Sequence, residues 1–265
     1  VSWQLSVSAT QLRPLEVRDY NVQRCETGAP PGGPELRVLD AVYLEGLELL
    51  DTWCRSALLS DHFSAVELLS VHRDNLDLRV LHESRYGLVI AKPELMRSAG
   101  QALPGGLAYE VVARYPDYGS QLVSLEGTPQ LSEEWLRGRR LGLLDDPNSV
   151  SSYQIPMAEL RKAGLDAVPE IVYFRSYREM YRALFAGDID VIPALLSSEG
   201  PESALQLPPG LVLEETIPGP AWYIHRELLD TPAHCDLAEG LGRLAAVSDV
   251  DFFRALRLVR PCGDE

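Results

Sequence analysis

After the apolar run Arg140 to Leu144, the chain reads Asp145-Asp146-Pro147-Asn148-Ser149-Val150-Ser151-Ser152, then turns amphipathic through Glu159-Leu160-Arg161-Lys162-Ala163 to Gly164. The polar stretch therefore joins the end of a strand to the start of a helix. The first amides of a helix have no carbonyl ahead of them and lie at the positive end of its dipole. With the hydroxyls of Ser149, Ser151 and Ser152 beside them, they make a nest for a small anion. The competing reading is a plain cap, made by the serines and Asn148. Asp145 and Asp146 oppose an anion unless their side chains turn away. Pro156 has no N–H to donate, so it belongs in the first turn or kinks the helix.

Other chemistry-bearing residues are fewer. Arg175, Ser176 and Tyr177 follow a strand and open a helix, again at a strand's C-terminal end. Tyr118 precedes an extended segment, where an aromatic lines a cleft or fills a junction, and Trp222 and Tyr223 carry the same two readings. Arg137, Arg139 and Arg140 cluster at the start of a strand, the edge away from such a cleft, and read as a solvated face. No G-x-S-x-G, P-loop, H-E-x-x-H or strand-linked G-x-G-x-x-G occurs. His62, His72, His82, His225 and His234 lack metal-ligand spacing, and Lys92 and Lys162 are the two lysines. No nucleophile pairs with a base, so the reading is a protein without catalytic residues, metal or cofactor.

Those loops need a scaffold, and 265 residues with 46% hydrophobic composition can bury one large core or two of medium size. No apolar run approaches the roughly 18 residues of a membrane helix, and no export-signal pattern follows Val1. A net charge of −15 repels phosphate backbones and anionic lipid, which argues against nucleic acid or membrane surfaces as partners. Cys25, Cys54, Cys235 and Cys262 allow three disulfide connectivities. Pairing neighbours in sequence would tie down an irregular N-terminal segment and the C-terminal tail, as suits an oxidising compartment. Four reduced thiols in a cytosolic protein is the alternative.

Residues 1–34 lack clear periodicity and end in Gly28-Ala29-Pro30-Pro31-Gly32-Gly33-Pro34, which continues neither helix nor central strand. They read as an extension laid on a domain. From Glu35 the pattern alternates: strand Leu36 to Leu44, helix Glu45 to Leu58, strand Ala65 to Val71, helix Asn75 to Ser84, strand Tyr86 to Ala91, and a helix opened by Pro93. A second set follows Gly138, with strands Arg140 to Leu144, Glu170 to Phe174 and Asp190 to Leu195, and a helix Tyr177 to Ala186 closed by Gly187. Gly119 to Glu126 crosses between the sets, Ala221 to His225 crosses back, and the helices after Thr231-Pro232 return to the first set. The expectation is an α/β, two-lobed clamshell, each lobe a mixed, mainly parallel sheet flanked by helices, with two hinge crossings. Its parts are the extension 1–34, one lobe from 35–118 and 222–265, and a second from 119–221. Ligands of such sheets sit beyond the C-terminal strand ends, in the cleft.

Four strings resemble the periplasmic phosphonate-binding proteins of ABC importers, members of the type II solute-binding superfamily. Asp146-Pro147-Asn148-Ser149-Val150-Ser151-Ser152 with Pro156 is similar to that family's D-P-N-S-T-S-G loop and downstream proline. Pro116-Asp117-Tyr118-Gly119-Ser120 is similar to its P-x-Y-x-S. Leu136-Arg137-Gly138-Arg139 resembles its entry to the second lobe, and Gly187-Asp188-Ile189-Asp190-Val191 its "G-x-V-D" strand. The resemblance spans roughly residues 35 to 226 and is most specific from 116 to 191. It implies an extracytoplasmic, periplasmic solute-binding protein, not an enzyme, that closes on a small anionic ligand and delivers it to an ABC permease. The alternative on the same fold is the periplasmic sensor domain of a membrane receptor such as a histidine kinase, with a transmembrane partner. The implied ligand residues are Tyr118, Asn148, Ser149, Val150, Ser151 and Tyr177. Several positions depart from the family: Val150 replaces the loop threonine and Tyr177 a ligand-contacting histidine. Ser197 and Pro220 stand where acidic residues neutralise an aminoalkyl group, and Asn75 replaces a first-lobe aromatic. An ammonium buried without those carboxylates is poorly stabilised, so the resemblance with its departures implies an anion other than an aminophosphonate, or a neutral polar solute stacked on Tyr177 and Tyr118.

Overall fold

The computed structural model describes residues 20–42, 47–55, 58–71, 81, 85–103, 105–147, 149–175, 177–197, 207–248, 251–260 and 262. Among the described residues there are twelve strands: β1 Tyr20–Glu26, β2 Glu35–Asp40, β3 Ala65–Val71, β4 Leu88–Ala91, β5 Tyr109–Arg114, β6 Tyr118–Val123, β7 Arg140–Leu144, β8 Glu170–Phe174, β9 Ile192–Ser197, β10 Leu211–Ile217, β11 Ala221–His225 and β12 Arg257–Leu258. They divide between two bodies. A seven-stranded sheet has the order β1-β3-β2-β4-β11-β5-β12; the second body holds a sheet β10-β6-β9 and a pair β7-β8. A single parallel bridge, Leu141 to Val191, joins the two small sheets.

The large sheet is covered on both faces, and that explains why its strands read as unbroken apolar runs. In β4, Leu88 and Ile90 enter one core while Val89 and Ala91 enter the other. Leu36 and Val38 part from Leu39 in β2 by the same period of two. The parallel pairs are β2 with β3, which the helix Leu47–Arg55 connects, and β2 with β4. Strands added by the extension, the second crossing and the tail all pair antiparallel, which gives this sheet more antiparallel character than a simple β-α-β reading implies.

One element lies inside the stretch that sequence periodicity left unassigned. Tyr20–Glu26 zips antiparallel along β3, from Tyr20 opposite Val71 to Glu26 opposite Ala65. It is an edge strand with one half-buried face, so only the alternation of exposed Val22 and Arg24 with half-buried Gln23 and Cys25 marks it. β5 and β10 were likewise missing from the sequence reading. The helix expected over Asn75 to Ser84 lies outside the described residues apart from Leu81.

Both cystine links connect neighbours in sequence. Cys25–Cys54 ties β1 to the helix Leu47–Arg55, and Cys235–Cys262 ties the tail to the helix Pro232–Val247. These two helices pack together at Gly240, where an added Cβ would lie 2.7 Å from Trp53 Nε1. Trp53 in turn sits 6.2 Å from Trp222 of β11, centroid to centroid, in the largest core.

The two crossings run side by side. β5 leads through Tyr115-Pro116-Asp117 into β6, and β10 leads back through Pro218-Gly219-Pro220 into β11. The Tyr115 amide donates to the Pro220 carbonyl at 3.0 Å, and the Gly219 amide donates to Asp117 Oδ1 at 3.1 Å. A Cβ at Gly219 would meet the Pro116 carbonyl oxygen at 2.2 Å, so only glycine lets the strands approach this closely. Phe252 stacks on Tyr115 at 5.5 Å and meets Tyr118 edge-on at 5.6 Å, so the C-terminal segment braces the hinge with aromatic rings.

Candidate functional site

A cavity of about 590 Å³ opens where the two bodies face each other. Ala41, Lys92, Glu94 and Leu95 line it from beyond the ends of β2 and β4; Val150, Gln154, Ile155, Glu214, Thr216 and Ile217 line it from the other side. It therefore lies beyond C-terminal strand ends, where open α/β sheets bind ligands.

The wall of the second body is built on a widened helical turn. Val150–Gln154 is a π turn that runs on into the helix Ile155–Lys162. The Ser149 carbonyl accepts the amides of both Tyr153, at 3.1 Å, and Gln154, at 2.9 Å. Pro156 follows and has no N–H for the Ser152 carbonyl four residues back, so the regular ladder is broken at this point. The amides of Val150, Ser151 and Ser152 head this helix with no helical carbonyl before them.

The residues expected to hold ligand divide into two groups. Val150 lies on the cavity wall, an apolar side chain where the resemblance has a hydroxyl. Ser149, Ser151 and Ser152 are buried, each at 3% exposure or less, behind that wall. Ser152 Oγ donates to Tyr177 Oη at 2.6 Å, Ser151 Oγ lies 3.3 Å from the same hydroxyl, and Ser120 Oγ of β6 donates to the Ser151 carbonyl at 2.8 Å. The structure thus brings Ser151, Ser152 and Tyr177 into one hydroxyl cluster and pins the turn to the crossing strand. Tyr177 opens the helix Tyr177–Ala186 and stacks 6.4 Å from Tyr181, whose hydroxyl is pushed up by burial and then by Tyr177. Asn148 and Ser176 lie outside the described residues. Asp145 is exposed, and its amide donates to the Phe174 carbonyl at 2.8 Å.

Tyr118 begins β6 at the lobe boundary, and its hydroxyl accepts from Lys92 Nζ at 3.1 Å. Lys92 caps the helix Pro93–Ala102 from an extended backbone. The sequence reading passed over this lysine as a functional group. The signal was present all the same: Lys92-Pro93 follows the strand Leu88–Ala91, the same strand-to-helix junction that singled out Ser149. Beneath it, Trp222 Nε1 donates to Tyr115 Oη at 3.4 Å, and burial pushes the Tyr115 hydroxyl up to about 12.

The arginine cluster serves the fold. Arg137 pairs with Glu133, Arg139 with Glu126 at 2.8 Å while lying over the Trp135 ring, and Arg140 with Asp190 at 3.0 Å. Trp222 is fully buried in the core.

Two sheet bodies joined by two adjacent crossings, with a cleft between them, define the two-lobed fold of the type II periplasmic binding proteins. A family model described as "ABC transporter, phosphonate, periplasmic substrate-binding protein" matches residues 79–222, and the chain belongs to that family. Two solved structures share the fold at 16% identity. A binding protein component of an ABC phosphonate transporter from Pseudomonas aeruginosa has a TM-score of 0.53, covering 85% of this chain and 82% of that one. PhnD1 from Prochlorococcus marinus, in complex with methylphosphonate, has a TM-score of 0.54, covering 85% and 93%. The regulatory domain of MetR, a LysR family regulator from N. meningitidis, is similar at a TM-score of 0.51 and 11% identity, over 86% and 99%. That likeness shows one architecture serving unlike proteins. No curated protein matches the chain.

Proposed function

We propose that this chain is the periplasmic solute-binding component of an ABC importer and takes a small, phosphonate-like oxyanion between its lobes. The lobes are residues 35–118 with 222–265, and residues 119–221, hinged at the paired crossings. One observation carries the reading: the cavity is lined by Lys92 from one lobe and by the head of the Val150 helix from the other. A cation and the positive end of a helix at one space suit an anion, and closure of the lobes would bring both to bear on it. Ser149 and Ser151 hold the turn that presents those amides, Tyr118 and Tyr177 flank it, and Asn148 belongs to the same loop. Family membership supports delivery to a permease over a sensing role, and two cystine links suit an oxidising compartment.

The test is calorimetric titration and thermal shift with methylphosphonate, phosphate, sulfate and a neutral sugar. A true ligand at about 100 times its Kd adds about 2.7 kcal/mol of stability. Ser151→Ala should weaken that ligand about tenfold, the equivalent of ~1.4 kcal/mol. Unchanged affinity in Ser149→Ala and Ser151→Ala alike would make the turn an ordinary helix cap, and binding of the sugar alone would end the oxyanion reading.

A further inference from the structure

What sets the resting width of the cleft rests on the hinged lobes of the functional reading, whatever the ligand is. Residues 252–260 run beside the crossings and are held at both ends. At one end the short helix Asp251–Arg254 follows the helix Pro232–Val247, and Phe252, Phe253 and Leu256 pack against the largest core. At the other end Arg257 and Leu258 pair with Arg114 and Ala113 of β5. The Val259 amide donates to the Val112 carbonyl at 2.8 Å, and Cys262 is linked back to Cys235. The segment therefore belongs to the first lobe.

Phe252 nevertheless touches both sides of the hinge. It stacks on Tyr115, just after β5, at 5.5 Å, and meets Tyr118, the first residue of β6, edge-on at 5.6 Å. Tyr115 sits in the first lobe's core, where its hydroxyl accepts from Trp222 Nε1. Tyr118 opens a strand whose partners, β9 and β10, belong to the second lobe. Rotation of one lobe against the other thus moves Tyr118 relative to Phe252 and leaves Tyr115 in place. Dispersion is short-ranged, so a gap of about 0.5–1 Å forfeits about a quarter to a half of the attraction. An edge-to-face pair depends on its angle as well. The contact is stronger in one arrangement of the lobes than in others, and a difference of that kind biases a conformational equilibrium.

We propose that residues 252–260 form a strap that holds the cleft at its resting width, with Phe252 as its contact and Cys235–Cys262 as its anchor. The strap favours the arrangement in which Phe252 meets Tyr118. In that arrangement the Tyr118 hydroxyl also accepts from Lys92 on the cavity wall, so the bias is felt at the cleft. Rotation of the lobes in either direction loosens the ring contact, and the strap sets how readily the cleft departs from rest.

The experiment measures interlobe distances in the ligand-free chain by electron spin resonance. Spin labels go on Ser98→Cys in the first lobe and Ala163→Cys in the second, both exposed positions. All four native cysteines are paired, so the labels attach to the introduced thiols. The otherwise unaltered chain should show one main distance. Phe252→Ala should raise the ratio of other distances to that one about three- to tenfold, the range set by the loss of one aromatic pair. Phe252→Leu keeps apolar bulk without the ring and should act in the same direction by less. It carries the test if the alanine variant loses its native circular dichroism. Cys235→Ser with Cys262→Ser should also populate other distances, because β12 holds the segment through a ladder of two residues. Cys25→Ser with Cys54→Ser removes a link of similar span from β1, at the opposite edge of the sheet, and should leave the distance as it was. An unchanged distribution in the Phe252 variants, or in the variant without Cys235–Cys262, overturns the strap. So does an equal change on loss of Cys25–Cys54, which would signify general loosening. The oxyanion reading is decided separately, by titration of the wild type with methylphosphonate and phosphate.

Discussion

The two lobes reach order by different means. The first is one continuous sheet of seven strands with a core on each face, Trp53 and Trp222 packed in the larger one, two cystine links on its helices, and buried polar groups such as Thr27, Asp40 and Ser70 that bond within the lobe. The second is two small sheets joined through a single bridge at Leu141 and Val191, and its interior admits the hydroxyls of Ser120, Ser151 and Ser152. Buried hydroxyls must find partners, so these tie the Val150 turn to β6 and to Tyr177 instead of merely filling space. The first lobe is thus a scaffold that holds the hinge and Lys92. The second spends interior positions on holding a helix terminus open toward the cleft.

The largest way to break this contrast is to remove the covalent links. Cys25–Cys54 and Cys235–Cys262 close loops of 29 and 27 residues. Loop-closure entropy assigns each about 3.5 kcal/mol. Replacing either pair by serine should lower the first lobe's unfolding transition by that order in a denaturant titration and leave the second lobe's transition in place. A common downward shift of both transitions would mean that the lobes unfold as one body and the division of labour is wrong.

A smaller effect sharpens the role of the crossing. Gly219→Ala sets a methyl group against the Pro116 and Tyr115 carbonyl oxygens, at 2.2 and 2.6 Å in the present geometry. Backbone cannot give way as a side chain tip does, so the strands must part, at about 1–3 kcal/mol. Ligand affinity should fall with little change in either lobe's own packing, read as weakened titration with near-native circular dichroism. Unchanged affinity would show that closure does not pass through this contact.

What was legible in the sequence followed the physics of each element. Leu88–Ala91, Arg140–Leu144 and Glu170–Phe174 are short apolar runs between helices, and a pattern of that kind has few other solutions. Tyr20–Glu26 and Leu211–Ile217 carry Arg24, Glu26, Glu214 and Glu215 on exposed positions, and edge strands of this sort hide their alternation. The site was legible as a loop but not in its facing. Spacing located Ser149 and Ser151 at a helix head, whereas the widened turn before Pro156 puts Val150, Gln154 and Ile155 on the cavity and buries the serines behind them. Lys92 escaped because its partner Tyr118 stands 26 residues further on, at the hinge, a contact no local pattern encodes.

The smallest effect separates the lobes by their response to acid. His234 in the first lobe is buried, its Nε2 without a partner among the described residues. Burial holds its pKa below the ordinary 6.5; Asp230 opposes that and Arg260 adds to it. As the pH falls below 6.5, the unfolded chain takes up a proton that the folded imidazole does not, so stability declines until the folded pKa is reached. In the second lobe, hydrogen bonding from Arg140 holds Asp190 below its ordinary 3.8. That contribution is complete above 3.8 and is lost only as the pH falls through the lower folded value. Calorimetric scans from neutral to acid should therefore lower the first lobe's transition before the second's. His234→Gln should flatten the first lobe's slope just below pH 6.5, and Asp190→Asn should leave that slope alone while lowering the second lobe at neutral pH. If His234→Gln kept the wild-type slope, the buried imidazole would have no part in the difference, and the first lobe's rigidity would carry no sensitivity to acid at that position.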